Sequence, residues 1–268
     1  MKGFLSMNFY SSIKSHGKTD IGLFRENNED GYLIVDPGNE AYDVSHRGLL
    51  FAVADGMGGH AAGEVASKMA CEGLLQYYEP NIDQETESSD PVFKLKRLRR
   101  VIHKTNEEIY RYAQTHPEFS GMGTTLSVLI LSPENAIIGH VGDSRIYRFR
   151  NRKLKLLTVD HTEVQAMIDS GRLTPDEAAV HPFRHALLQA VGTMAELETI
   201  DTGIESVQPG DIYLLSTDGL HDSISDEDIE RTLRENRDIH IASDRLIDLS
   251  LKKGGRDNIT LIIAAIPL

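Results

Sequence analysis

Short apolar runs recur along the chain at Gly31–Val35, Leu49–Ala54, Thr124–Leu131, Ala136–Val141, Ile146–Phe149, Ile212–Ser216 and Ile259–Ile266. Each is four to eight residues long and is bounded by Gly, Asp, Asn or Pro. That length and punctuation predict strands. Asn151-Arg152, between Ile146–Phe149 and Leu154–Leu157, predicts a hairpin turn. Most connections are short, which favours antiparallel pairing, because parallel strands need long crossovers. Helical spacing shows in three places: Val65, Met69, Gly73 (with Leu74) and Tyr77; Leu95, Leu98, Ile102, Ile109 and Tyr112; and Ala242, Leu246, Leu249 and Lys253. Each predicts a helix with one apolar face. Strands, two helices, more strands, then helices and a last strand make an α+β order. The polar stretch Asn81–Asp90 reads as an exposed loop inside one domain.

Composition narrows the class. The chain has 268 residues and a net charge of −13, enough length for a sizeable core without disulfide or metal staples. The acidic balance argues against nonspecific nucleic-acid binding and attraction to anionic lipid. One cysteine, Cys71, rules out an internal disulfide framework and any Cys-rich metal site. It reads as a small core residue in a reducing compartment. The start has one basic residue and no apolar core of a secretory signal, and no run reaches the length of a membrane span. A cytoplasmic protein is expected. Met7 is a possible alternative start, with Met1–Ser6 an extension. Basic residues of Lys94–Lys104 fall between the apolar positions of a helix and read as a solvated face.

Apolar strands repeatedly run into an aspartate followed by a turn residue. Leu49–Ala54 leads into Asp55-Gly56, Ile212–Thr217 into Asp218-Gly219, and Ile138–Gly142 into Asp143. A fourth case is inverted, with Gly254-Gly255-Arg256-Asp257-Asn258 preceding the last strand. A buried strand delivers its terminal side chain rigidly, and the glycine lets backbone come close to whatever that side chain holds. Each Asp-Gly alone is an ordinary turn signal. Four such aspartates in one domain would repel unless a cation neutralised them. Oxygen ligands without a Cys or His set select Mg²⁺ or Mn²⁺ over Zn²⁺. Near the N-terminus, Arg25 lies five residues before Asp30. Arginine suits two-pronged phosphate binding, and its ordinary alternative is a surface ion pair with Glu26 or Glu29.

Six ordered segments carry a resemblance: Arg25-Glu26-Asn27-Asn28-Glu29-Asp30, Ala54-Asp55-Gly56-Met57-Gly58-Gly59-His60, Gly121-Met122-Gly123-Thr124-Thr125, Gly142-Asp143-Ser144-Arg145, Ser216-Thr217-Asp218-Gly219-Leu220 and Gly255-Arg256-Asp257-Asn258. From Thr19 to Ile266 the chain resembles the bacterial branch of the PPM (type 2C) metal-dependent protein serine/threonine phosphatases. The resemblance implies a four-layer αββα sandwich of two antiparallel sheets flanked by helix pairs. Residues 1–18 would be an N-terminal extension and first-strand region. Residues 19–268 would form one domain with a flap at about 160–192. Asp55 would bridge two Mn²⁺ or Mg²⁺ ions and the Gly56 carbonyl would bind the first. Asp218 and Asp257 would bind the second, and Asp143 with Asp218 a weaker third. Asp30 would act through metal-bound water, with Glu29 in support, and Arg25 would receive the phosphate. Animal-type members carry His directly after the Asp-Gly as the presumed acid; here that position is Met57, and His60 is the nearest substitute. His140, His161 and His221 are expected to be structural.

The implied activity is hydrolysis of phosphoserine and phosphothreonine by a hydroxide shared between two metals. Substrates would be phosphorylated proteins made by a serine/threonine kinase, and the enzyme a monomer without nucleic-acid or membrane partners. Two alternatives have different signatures: an inactive relative that only binds phosphoproteins, and a hydrolase of small phosphate esters.

Overall fold

Two antiparallel sheets account for the apolar runs. The structure, a computed structural model, describes residues 9–39, 41–58, 62–80 and 90–268. Met1–Ser6, His60 and residues 81–89 of the expected polar loop therefore lie outside the described residues. One sheet has the order β1 (Lys14–Asp20), β11 (Ile259–Ala265), β10 (Ile212–Ser216), β7 (Arg145–Arg150), β8 (Lys153–Leu156). The other has the order β2 (Asp30–Val35), β3 (Leu49–Met57), β5 (Leu126–Leu131), β6 (Asn135–Val141), β9 (Asp201–Ser206), with β4 (Gly123–Thr124) paired to β3.

Alternation along the strands sorts the layers. Tyr213, Leu215, Ile262 and Ala264 point into a core shared with β2, β3, β5 and β6. That core also takes in helices α1 (Ala62–Leu74) and α2 (Pro91–Thr115) on the far side of the second sheet. Leu214, Leu261 and Ile263 point the other way. They pack on α6 (Asp226–Glu235) and α7 (Ile239–Lys252), joined by Leu220 of the short helix α5 (Asp218–His221), while short helices α3 (Glu163–Asp169) and α4 (Pro175–Ala179) follow β8 in the chain. The result is the four-layer αββα sandwich. Leu49–Ala54 of β3 is fully buried on both faces, which is why it reads as a continuous apolar run.

The structure departs from the sequence reading in instructive places. β1 and β9 lie at sheet edges, and their sequences, KSHGKTD and DTGIES, carry too little apolar alternation to announce strands. Helix α6 shows only Ile229 and Leu233 as large apolar side chains, so its period is faint. The run Thr124–Leu131 breaks at Thr125, whose N–H donates to the Asp55 carbonyl while its Oγ1 accepts from the Asp55 N–H, both at 2.9 Å. The hairpin turn is present, with Asn151 and Arg152 at φ 52° and 64°. In the basic helix Lys96, Arg99 and Lys104 are solvated. Lys94 is buried, which pulls its ammonium down to about 8, and Arg97 Nε donates to the Tyr77 carbonyl at 2.7 Å. Cys71 is buried, and desolvation pushes its thiol up to about 12. Among the described residues no helix is long and apolar enough to cross a membrane.

The segment bearing Arg25 and Asp30 is tied to the start of β11 by one side chain. Buried Asn258 donates from Nδ2 to the carbonyls of Ile21 (2.9 Å) and Asn27 (3.0 Å), and its Oδ1 accepts the Glu29 N–H at 2.8 Å. Asn258→Ala removes all three bonds. It should cost about 2–4 kcal/mol in urea unfolding; a loss near zero would mean that the tie is not needed.

Candidate active site

Register brings the ends of both sheets to the same edge of the sandwich. Asp30 pairs with Asp55 across β2 and β3. Ser216 pairs with both Leu261 and Arg145, and Asp20 pairs with Ile259. The segments just past these rungs carry Asp218, Asp257 and Asp143. Sheet two therefore delivers Asp30 and Asp55, and sheet one delivers Asp218 and Asp257 from beyond its strand ends.

Close backbone approach explains the glycines that follow two of the aspartates. A Cβ on Gly56 would stand 2.1 Å from the Gly63 carbonyl oxygen, and one on Gly219 would stand 2.0 Å from that of Asn258. No side chain fits at either place, so these Asp-Gly pairs are packing requirements at the site as well as turn signals.

The Asp55 and Asp218 carboxyls are close neighbours, so the charge of Asp218 opposes ionisation of Asp55. Burial first, then neighbouring carboxylates, holds both far above the ordinary aspartate value. Asp218 Oδ1 is buried with no hydrogen-bond partner among the described residues. Asp30 is raised to about 7, chiefly by burial, although its Oδ2 accepts from Thr217 Oγ1 at 2.8 Å. Asp143 is also raised to about 7, by burial and by Asp160 and Asp222. An orphaned carboxylate oxygen among mutually repelling acids, with no Cys and only oxygen donors in the expected set, fits a hard divalent cation.

Arg25 is not paired with Glu26 or Glu29. Its Nη2 donates to Asp257 Oδ2 at 2.6 Å, while Asp257 Oδ1 accepts the Asn258 N–H at 2.9 Å. The guanidinium thus lies beside a carboxylate expected to bind metal, and this contact uses one of its five N–H donors.

The structure also adds side chains that the sequence reading did not single out. His185 and Asp222 are joined at 3.1 Å between His Nδ1 and Asp Oδ2. Together with Asp218 they offer ligand atoms within 4.8 Å of one another. Asp222 lies four residues beyond Asp218, the spacing of one helical face, and that signal was available. His185 comes from the flap segment and carries no local signal. Thr217, the partner of Asp30, is visible only once β10 is placed. Asp143 is buried beside this group but is not part of that three-residue cluster. His140 is fully buried, its Nε2 donating to the Val159 carbonyl at 3.0 Å and its Nδ1 hydrogen-bonded with Ser127 Oγ at 2.9 Å, and burial lowers it to about 3. His161 Nδ1 accepts the Gly142 N–H at 3.2 Å. Both are structural in their contacts. His221 Nδ1 faces Ser216 Oγ at 3.4 Å.

Titration of this cluster sets a pH dependence. Asp30, Asp55, Asp143 and Asp218 hold their protons to higher pH when folded than at the ordinary value of 3.8. The folded chain then binds more protons than the unfolded chain above that value, so stability falls as pH rises from about 4 to about 7 for Asp30 and Asp143, and further as Asp55 and Asp218 ionise. In chelator, the melting temperature should drop from about pH 5 to about pH 8. Asp218→Asn should melt higher than wild type and show a shallower drop; a flat wild-type profile by scanning fluorimetry would contradict the raised carboxyl cluster.

Comparison with known proteins places the chain among characterised relatives. The protein phosphatase 2C family profile matches residues 36–244. The chain is 37% identical over 252 residues to the serine/threonine protein phosphatase PstP of Mycobacterium tuberculosis, covering 94% of this chain and 45% of that relative. It thus spans about half the length of that relative. It is 34% identical over 247 residues to the serine/threonine phosphatase stp of Listeria monocytogenes, covering 92% of this chain and 93% of that one. Among solved structures, the catalytic domain of PstP in complex with two manganese ions superposes with a TM-score of 0.78 at 34% identity, covering 96% of this chain and 99% of that one.

Proposed function

The chain belongs to the protein phosphatase 2C family of serine/threonine protein phosphatases, and from that premise we propose how its residues remove phosphate from phosphoserine and phosphothreonine in proteins. Asp55, the Gly56 carbonyl, Asp218 and Asp257 would hold two Mn²⁺ or Mg²⁺ ions, and Asp143 with Asp218 a weaker third. Bound cations would supply Lewis acidity and a water acidic enough to give a nucleophile near neutral pH. The observation that carries this reading is the Asp55–Asp218 pair, with one buried oxygen lacking a partner.

The chain's own groups divide the remaining work. Arg25 would bind the phosphate oxygens through its free donors and stabilise charge on them during in-line attack. Asp30, fixed by Thr217 and titrating at about 7, can take up a proton from the attacking water. Asp257 orients Arg25. His60 would serve as the proton donor to the leaving oxygen on its sequence position alone, since it lies outside the described residues. The reading further includes a single catalytic unit over residues 19–268, a flap at about 160–192, and a cytoplasmic monomer. Its substrates would be products of a serine/threonine kinase.

Turnover of a phosphothreonine peptide should require Mn²⁺ or Mg²⁺ and vanish in chelator. Asp218→Asn should abolish it while the fold persists by circular dichroism. Phosphopeptide binding without turnover would favour an inactive binder, and faster turnover of sugar phosphates would favour a small-ester hydrolase. Arg25→Ala should lower kcat/KM by roughly ten- to a hundred-and-fifty-fold, the worth of a charge-assisted bond of about 1.5–3 kcal/mol. Arg25→Lys should recover only part of it. Unaltered kinetics in Arg25→Ala would remove Arg25 from the site.

A further inference from the structure

The turn that carries Arg25 also presents apolar side chains to solvent. Ile21 is 40% exposed, Leu23 63% and Phe24 72%. Single exposed apolar residues are ordinary on a protein surface. Three within four positions, at the rim of a charged site, mark a contact surface.

This segment is firmly held. The Leu23 N–H donates to the Gly255 carbonyl at 2.8 Å, the Gly22 N–H to Asp20 Oδ1 at 2.8 Å, and the Ile21 carbonyl accepts from Asn258. Its backbone is thereby fastened to the loop that bears Asp257. Side chains on a fixed backbone lose little freedom on binding, so their contact area is converted to affinity efficiently.

Phe24 is one residue from Arg25, and consecutive Cα atoms are about 3.8 Å apart. A phosphate held by Arg25 brings its own peptide to within a side chain's length of Phe24. An extended peptide advances about 3.3 Å per residue, so the substrate residue within reach is one or two positions from the phosphorylated one. The chain carries a net charge of −13, which disfavours acidic flanks and leaves apolar contact as the attraction.

We propose that Leu23 and Phe24 form an apolar platform for a substrate side chain one or two residues from the phosphoserine or phosphothreonine, and so select phosphopeptides with an aliphatic or aromatic residue there. This rests on the reading of Arg25 as the phosphate-binding group.

The test uses the full chain with Mn²⁺ and phosphothreonine peptides that differ only in Leu or Gly at each of the two positions on either side. Wild type should favour Leu at one of these positions by about five- to tenfold in kcat/KM, mainly through KM. Phe24→Ser should cut that preference to within about twofold while still hydrolysing the Gly-flanked peptide, and Phe24→Leu should keep much of it. Equal rates on Leu and Gly peptides in wild type, or a preference that survives Phe24→Ser, would overturn the platform and leave the phosphatase reading standing. Absence of hydrolysis of every phosphopeptide and of p-nitrophenyl phosphate would overturn both.

Discussion

Two carboxyl groups from different sheets meet at one point and cannot both be charged there without help. Asp55 lies near the end of β3 in one sheet and Asp218 follows β10 in the other, and the charge of one opposes ionisation of the other. Holding them together needs the two sheets packed face to face, which the alternating side chains of β10 and β11 accomplish. It also needs glycines where backbone crowds against backbone, at Gly56 and Gly219. Asp30 and Asp143 add to the same field. A cation is the one partner that relieves every member of this group at once, and the sandwich edge is arranged for it.

Around that point the loops are fastened by specific polar bonds. Arg145 grips Asp160 through Nε and Nη2, the latter at 2.7 Å, and fixes where the flap departs. The His161 N–H donates to the Gly142 carbonyl at 2.7 Å beside Asp143. His185 returns from the flap to Asp222. Asn258 performs the same service for the turn bearing Arg25. The result is an acidic site whose walls are set by hydrogen bonds, with the Arg25 guanidinium held beside Asp257.

Much of this was legible before any coordinates. Buried central strands such as Leu49–Ala54 and Ile259–Ala265 announce themselves because both faces are covered and every residue but Thr260 is apolar. The aspartates at their ends are visible for the same reason, since the apolar run points to them. Edge strands β1 and β9 are half solvated, so the apolar signal is absent where the sheet stops. Partnerships across long separations were not legible. Arg25 meets Asp257, not its neighbours Glu26 or Glu29, because the β1–β2 turn folds onto the loop before β11. Thr217 meets Asp30 for a similar reason. His185 and Asp222 join only when the flap closes back on α5.

Proton release on metal binding tests the crowded carboxyl cluster most directly. Calorimetric titration of Mn²⁺ into chelator-stripped protein at about pH 6, repeated in buffers of different ionisation enthalpy, counts the protons expelled. Burial and neighbouring charge hold Asp55 and Asp218 above the ordinary aspartate value when the cation is absent, so protons should leave as Mn²⁺ binds, and the observed heat should change with the buffer. Tight binding with a heat that is the same in every buffer would show the carboxylates already ionised and would contradict the raised carboxyl cluster.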